Sequence, residues 1–235
     1  MNLIDYWKNQ VKKYLVQYFE PTDWPWEIIT SLVLVLLFIN NIHYVLKEEN
    51  FKGIIQFFEI VIFVSLFWSM VEGLMFLFTS FLEKGRYNKM ILKIKSSEEE
   101  IGKKLIKNNL EQSVIDVLDE STKKYVIDSV FKRILSLTFK SLEKPKLTKK
   151  DIIGSLICFL FSFFPSFLIM ILFLLLVVIF NLSIAIFITN ITGLIILFGF
   201  GYKLGSCTNR NKLLTGVLVA LVGIIIVILG VILNA

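Results

Sequence analysis

From Ile54 to Leu82 the chain reads IIQFFEIVIFVSLFWSMVEGLMFLFTSFL, an apolar run that nonetheless carries Glu59 and Glu72. As a helix, at about 1.5 Å rise per residue, this stretch reaches roughly 43 Å, beyond the ~30 Å hydrocarbon core of a bilayer. It is therefore expected to span a membrane, tilted or projecting past one face. A carboxylate near mid-span costs about 3 kcal/mol on insertion scales, so its surroundings matter. At 100° per residue Ser65, Ser69, Glu72 and Thr79 fall within about 80° of one another, a polar stripe on a helix otherwise made of Phe, Leu, Ile and Val. The stripe is expected to face the protein interior or a watery cavity. Two readings of Glu72 stand: a cation or proton site, or a protonated or hydrogen-bonded group that serves packing. Glu59 points about 140° away on the same wheel, near the start of the span.

Composition agrees with a membrane environment: hydrophobic residues make up 56% of 235, with 22 Phe and mean hydropathy +0.74. The formal net charge of +6 resides in Lys and Arg beside hydrophobic runs, which reads as topology signal and anionic-lipid contact. No nucleic-acid partner is expected. Cys158 and Cys207 have no zinc or redox spacing, and His43 is the single histidine. No disulfide and no resident cofactor are expected. No nucleophile with a base, no phosphate loop and no zinc-ligand cluster is visible, so the chain is not expected to be an enzyme.

Residues 1–26 form the first region. Leu3, Ile4, Trp7, Val11, Tyr14, Leu15, Tyr18 and Phe19 recur at helical spacing opposite Lys8, Lys12 and Lys13, the pattern of an amphipathic helix lying in the membrane interface. Those lysines interrupt any secretory signal, so the amino terminus is expected to stay attached. Pro21 and Pro25 should end the helix, with Trp24 and Trp26 at headgroup level. The first span, Glu27 to Leu46, contains Asn40, Asn41 and His43, either as its outer end or as the lining of a cavity. Residues 27–82 thus hold two membrane helices.

Residues 83–151 differ, with 17 Lys and Arg and 11 Asp and Glu; they read as a helical insert outside the membrane. Ser97 and Glu100 have capping-box spacing, predicting a helix start there. Helices are expected around Leu110 to Leu118 and from Ser121 to Leu142. The acids Glu98, Glu99, Glu100 and Glu111 are either oxygen ligands for a hard cation or a solvated face.

Residues 152–235 supply three more spans: Ile152 to Phe180, Ser183 to Leu204 and Leu213 to Leu233. Pro165 should kink the third. Gly216, Gly223 and Gly230, seven apart, and Gly201-x-x-x-Gly205 should let backbones approach closely. The fold expected is all-α, five transmembrane helices with an insert between helices 2 and 3. Lys and Arg number three before the first span, 17 in the insert and none after the fifth. The amino terminus and insert are then cytoplasmic and the carboxyl terminus outside. The cell membrane is the expected location, a vacuolar membrane the alternative.

This layout, two helices, an insert and three helices, resembles the vacuolar iron transporter family. SLICFLFSFFPSFLIMI with Pro165 looks like that family's third span, LIILFGFGYKLG its fourth, and LLTGVLVALVGIIIVILG its glycine-spaced fifth. Ser69-Met70-Val71-Glu72-Gly73 looks like the Ser-Met-x-x-Gly element of its ion path, although here the acid precedes the glycine and Leu74 follows it. The first span lacks the family's Asp-Gly pair, and Lys89, Lys93 and Lys95 stand where some members repeat Glu. The resemblance implies a homodimer exporting Fe2+ or Mn2+ from the cytoplasm in exchange for protons. Its ion path would include Ser65, Ser69, Met70, Glu72 and Met75, with Glu72 as ligand and proton acceptor. Met70 lies about 160° from Glu72 on an ideal helix and Met75 about 60°; an ion touching Met70 and Glu72 together needs a second subunit or a distortion. The alternative from another class is a non-transporting scaffold whose basic insert binds a partner or anionic lipid.

Overall fold

The computed structural model describes residues 23–42, 51–110, 117–137 and 145–233. In these residues the only regular structure is helical: α1 Asp23–Asn40, α2 Phe51–Ser96, α3 Glu99–Leu110, α4 Glu120–Ser136, α5 Lys149–Ile179, α6 Leu182–Cys207 and α7 Lys212–Leu233. The amphipathic segment expected before Pro21, His43, Glu111 and most of the helix expected from Leu110 to Leu118 lie outside the described residues. The chain divides into two compact units, Met1–Leu77 with Lys149–Ala235, and Phe78–Thr148.

Four helices, α2, α5, α6 and α7, are long and apolar enough to cross a membrane, which points to an integral membrane protein. The apolar part of α1 is shorter, Trp24–Asn40. Sequence reading gives most weight to α2, but the buried cluster of the first unit is built on α1. Ile28, Ile29, Leu32, Val35, Leu36 and Ile39 are all buried, and α1 packs on α5, α6 and α7. Their spacing of three and four residues covers so much of the helix that α1 reads as a core element. The Trp24 ring packs near Phe161 at 6.1 Å and Phe200 at 6.0 Å between centroids. Trp26 is the exposed member of the pair.

The glycines of α7 act as the spacing predicts. A Cβ on Gly216 would meet the Phe198 ring, and one on Gly223 would meet Leu194 and Leu197, which seats α7 against α6. Gly230 faces α1 instead, its position for a Cβ only 2.5 Å from Asn40 Cβ. On the α6 side, Gly201 stands 3.0 Å from the Gly216 backbone by the same measure. The α5–α6 hairpin closes through Asn181, whose side chain accepts from Ile184 N at 2.9 Å, an N-cap. At the α6–α7 turn Asn209 adopts φ 53°, a left-handed conformation that Asn tolerates better than most residues. Helix α5 runs on through Pro165.

The second unit has its own apolar cluster, Ile91 and Ile94 of α2, Ile106 of α3, and Phe131 and Ile134 of α4. The predicted capping box at Ser97 is not formed. Ser97 Oγ donates to Lys93 O at 2.6 Å, closing the end of α2, and Gly102 N donates to Glu98 O at 2.8 Å, so α3 starts after Glu98. Helix α4 begins at Asp119, whose carboxylate accepts from Thr122 N at 3.0 Å and from the Ser121 hydroxyl. These hydrogen bonds, that of Ser121 first, hold the Asp119 carboxyl far below its ordinary range.

Candidate functional site: a serine seam beside Glu72

The sequence marks a polar stripe on α2, and the structure sorts its members by burial. Ser65 and Ser69 are buried, at 2% and 1% exposure; Glu72 is half-buried and Thr79 exposed. Glu72 is not isolated, because the Trp68 side chain, one turn earlier, donates a hydrogen bond to its carboxylate. Glu59 is exposed.

Helix α5 brings Ser155 and Ser162 to α2. Asp151, Gly154, Cys158, Ser162 and Ser166 are buried, recurring every three or four residues on one face. Ser69 Oγ donates to Ser65 O at 2.7 Å and lies 3.2 Å from Ser162 Oγ, whose hydroxyl can in turn donate to it. One turn on, Ser155 Oγ donates to Gly73 O at 2.7 Å. Gly73 is what permits that approach, since a Cβ there would stand 3.0 Å from Ser155 O. The contacts Gly73–Ser155, Ser69–Ser162 and Phe57–Phe173, with ring centroids 6.2 Å apart, run antiparallel. That register sets Ser65 at the level of Pro165 and Ser166. Ser166 Oγ itself donates to Ser31 O of α1 at 3.1 Å. The Ser65 hydroxyl is fully buried and, among the described residues, has no hydrogen-bond partner.

Met70 and Met75, the expected soft ligands, do not join this group. They are 50% and 53% exposed on the surface of the chain. Within one chain the half-buried Glu72 carboxylate thus has Trp68 as its partner, with both methionines turned outward.

The acids of the second unit are spread along its helices. Glu98, Glu99 and Glu100 are exposed; Glu99 and Asp128 each stand 2.6 Å from Lys103 Nζ, which joins α3 to α4. The hydrogen bond from Lys103 lowers the Asp128 pKa, and the bonds to Asp128 and Glu99 raise that of Lys103. Among the described residues no group of three or more His, Cys, Asp or Glu is placed to hold a metal ion.

Ser155, Ser162 and Ser166 were not singled out from sequence, nor was Asn190. The signal available was the small-residue recurrence in α5, which the flanking Phe and Leu obscure. Asn190, by contrast, is a single polar residue in an apolar helix. It pairs with Asn40, Asn40 Nδ2 donating to Asn190 Oδ1 at 2.9 Å and Asn190 Nδ2 to Asn40 Oδ1 at 2.7 Å.

No family model matches the chain, and no curated protein or solved structure matches it.

Proposed function

We propose that the chain is a membrane carrier that moves a divalent transition-metal ion, Fe2+ or Mn2+, out of the cytoplasm in exchange for protons, as the resemblance to vacuolar iron transporters implies. The observation that carries this reading is Glu72, a carboxylate inside a membrane-length apolar helix, half-buried, bonded by Trp68 and continuous with the buried Ser65–Ser69–Ser162 seam. An ionisable group kept at that depth is costly unless it is used. In this reading α1 is a fifth span, the amino terminus and the Phe78–Thr148 unit are cytoplasmic, and the carboxyl terminus is outside, in the cell membrane. Glu72 accepts a proton when the metal leaves, so metal and proton compete for one carboxylate. The outward faces of Met70 and Met75 suit a homodimer in which a thioether of one subunit meets the carboxylate of the other, giving a mixed hard and soft donor set.

A second reading, a scaffold that does not transport, is favoured by one observation. The Phe78–Thr148 unit has fifteen Lys and Arg against ten Asp and Glu, with Arg86, Lys89 and Lys93 exposed on one side of α2. Such a face suits anionic lipid or an acidic partner. Thermal unfolding in detergent separates the two. A carrier gains stability as Mn2+ is added, by ligand linkage, and Glu72→Gln removes the gain. A scaffold shows no metal-dependent shift in either form.

A further inference from the structure

We propose that the seam between α2 and α5 is a hydrated route leading to Glu72, with water held at the Ser65 hydroxyl. This rests on the reading of the chain as a carrier with Glu72 in its path, and it assigns to that path residues of α5 that the sequence reading did not include.

Two observations converge on it. The facing surfaces carry buried hydroxyls, Ser65 and Ser69 on one helix and Ser162 on the other, all at or below 2% exposure. Hydroxyls on facing helices ordinarily satisfy one another or a carbonyl of the preceding turn, and Ser69 and Ser162 do. Ser65 does not; its hydroxyl is buried without a partner, which costs about 1–3 kcal/mol unless water or a ligand meets it. Gly73 and Ser155 are in tight contact at one end of the seam, and Phe57 and Phe173 meet at the other. Between them Ser65, Ser69 and Ser162 stand among the buried apolar Val61, Ile169 and Met170, and their hydroxyls offer the polar partners that a buried water requires. Ser69 is three residues before Glu72, so their side chains are neighbours on one helix face. The seam therefore lies beside the carboxylate.

A small cation held in this seam with water would meet hydroxyl and carbonyl oxygens and lie beside one negative charge. That donor set suits a hard or borderline cation shedding part of its hydration. Cys158 lies on the same face of α5, between Ser155 and Ser162, and is buried.

The test is thiol labelling of the full chain in sealed proteoliposomes with methanethiosulfonate ethylammonium, a small cation. Ser65→Cys and Ser162→Cys are made in a Cys158→Ser, Cys207→Ser background, with Leu168→Cys, 56% exposed on the apolar surface, as the dry control. Because the thiolate is the nucleophile and forms only where water stabilises it, positions 65 and 162 are expected to react at least about tenfold faster than position 168. In the natural chain, peptide mapping is expected to find Cys158 modified, which reads the seam without any substitution there. Rates at 65 and 162 equal to that at 168, with Cys158 unmodified, overturn the proposal. Labelling reads water access whether or not an ion moves. A reactive seam without metal flux therefore overturns only the carrier reading, and flux through a chain with an unreactive seam overturns only this one.

Discussion

Asn40 of α1 and Asn190 of α6 exchange two hydrogen bonds through their side-chain amides, at 2.9 and 2.7 Å, inside an apolar bundle. Asn40 Nδ2 also donates to Leu36 O at 2.7 Å, and Gly230 of α7 packs against Asn40 Cβ. One amide pair thereby fixes the axial register of α1 against α6 and brings α7 to the same level. In a membrane bundle apolar side chains pack nearly as well in neighbouring registers, so a reciprocal polar pair is an effective way to select one.

Replacing one partner strands the other. Asn190→Leu is expected to destabilise the bundle by about 1–3 kcal/mol, the cost of a buried unpaired amide. Asn40→Leu with Asn190→Leu is expected to cost less than the sum of the single changes, with a coupling of about 0.6–2 kcal/mol. Unfolding midpoints in mixed micelles measure the cycle. Strict additivity would show that the two amides do not interact.

Two glycines of α6 are expected to behave in opposite ways. A side chain at Gly201 would come within 2.7 Å of Val219 Cβ and 3.0 Å of the Gly216 backbone, so Gly201→Val forces α6 and α7 apart at about 1–3 kcal/mol. Gly199 has nothing within 4 Å, and Gly199→Ala is expected to be neutral or to raise stability by up to about 1 kcal/mol through helix propensity. Equal effects at the two positions, in the same unfolding assay, would remove the close α6–α7 contact from the account.

In the second unit, Lys103 between Asp128 and Glu99 links α3 to α4. Asp128 titrates below its ordinary 3.8, so its contribution to stability is present above that value and lost as pH falls through the lowered one. Lys103 titrates above 10.5, so its contribution is present below that value and lost as pH rises through the raised one. The pair therefore holds across neutral pH. These side chains are solvent-exposed and the gain is small and salt-sensitive. A carbon-detected NMR titration is expected to place the Asp128 carboxyl midpoint below 3.8 and to move it upward in Lys103→Met; an unchanged midpoint would dissolve the pair.

Much of the helical layout could be read from hydropathy alone, because a bilayer demands long apolar segments and water demands charged ones. The glycine faces of α6 and α7 were legible for the same reason, as small residues at fixed spacing have few other uses in such helices. The centrality of α1 was not. Burial on all sides and exposure to lipid call for the same Leu, Ile and Val, so hydrophobicity cannot distinguish a core helix from a peripheral one in a membrane protein. The candidate site was legible on one side only. Glu72, Ser65 and Ser69 declare themselves as polar residues on one face of α2, but Ser162 and Ser155 gain meaning only when α5 is laid against it. The capping box failed at Ser97 because α3 starts one residue later, where Gly102 N donates to Glu98 O.

In the proposed carrier, Glu72 sits in the path of a metal moving against protons. The most direct measurement is uptake of Fe2+ and Mn2+ into sealed proteoliposomes, with and without a proton gradient, for the natural chain and Glu72→Gln side by side. Flux that follows the gradient in the natural chain and is lost in Glu72→Gln is the predicted result. No flux from a folded, correctly oriented natural chain, or equal gradient-driven flux in the two proteins, would contradict it.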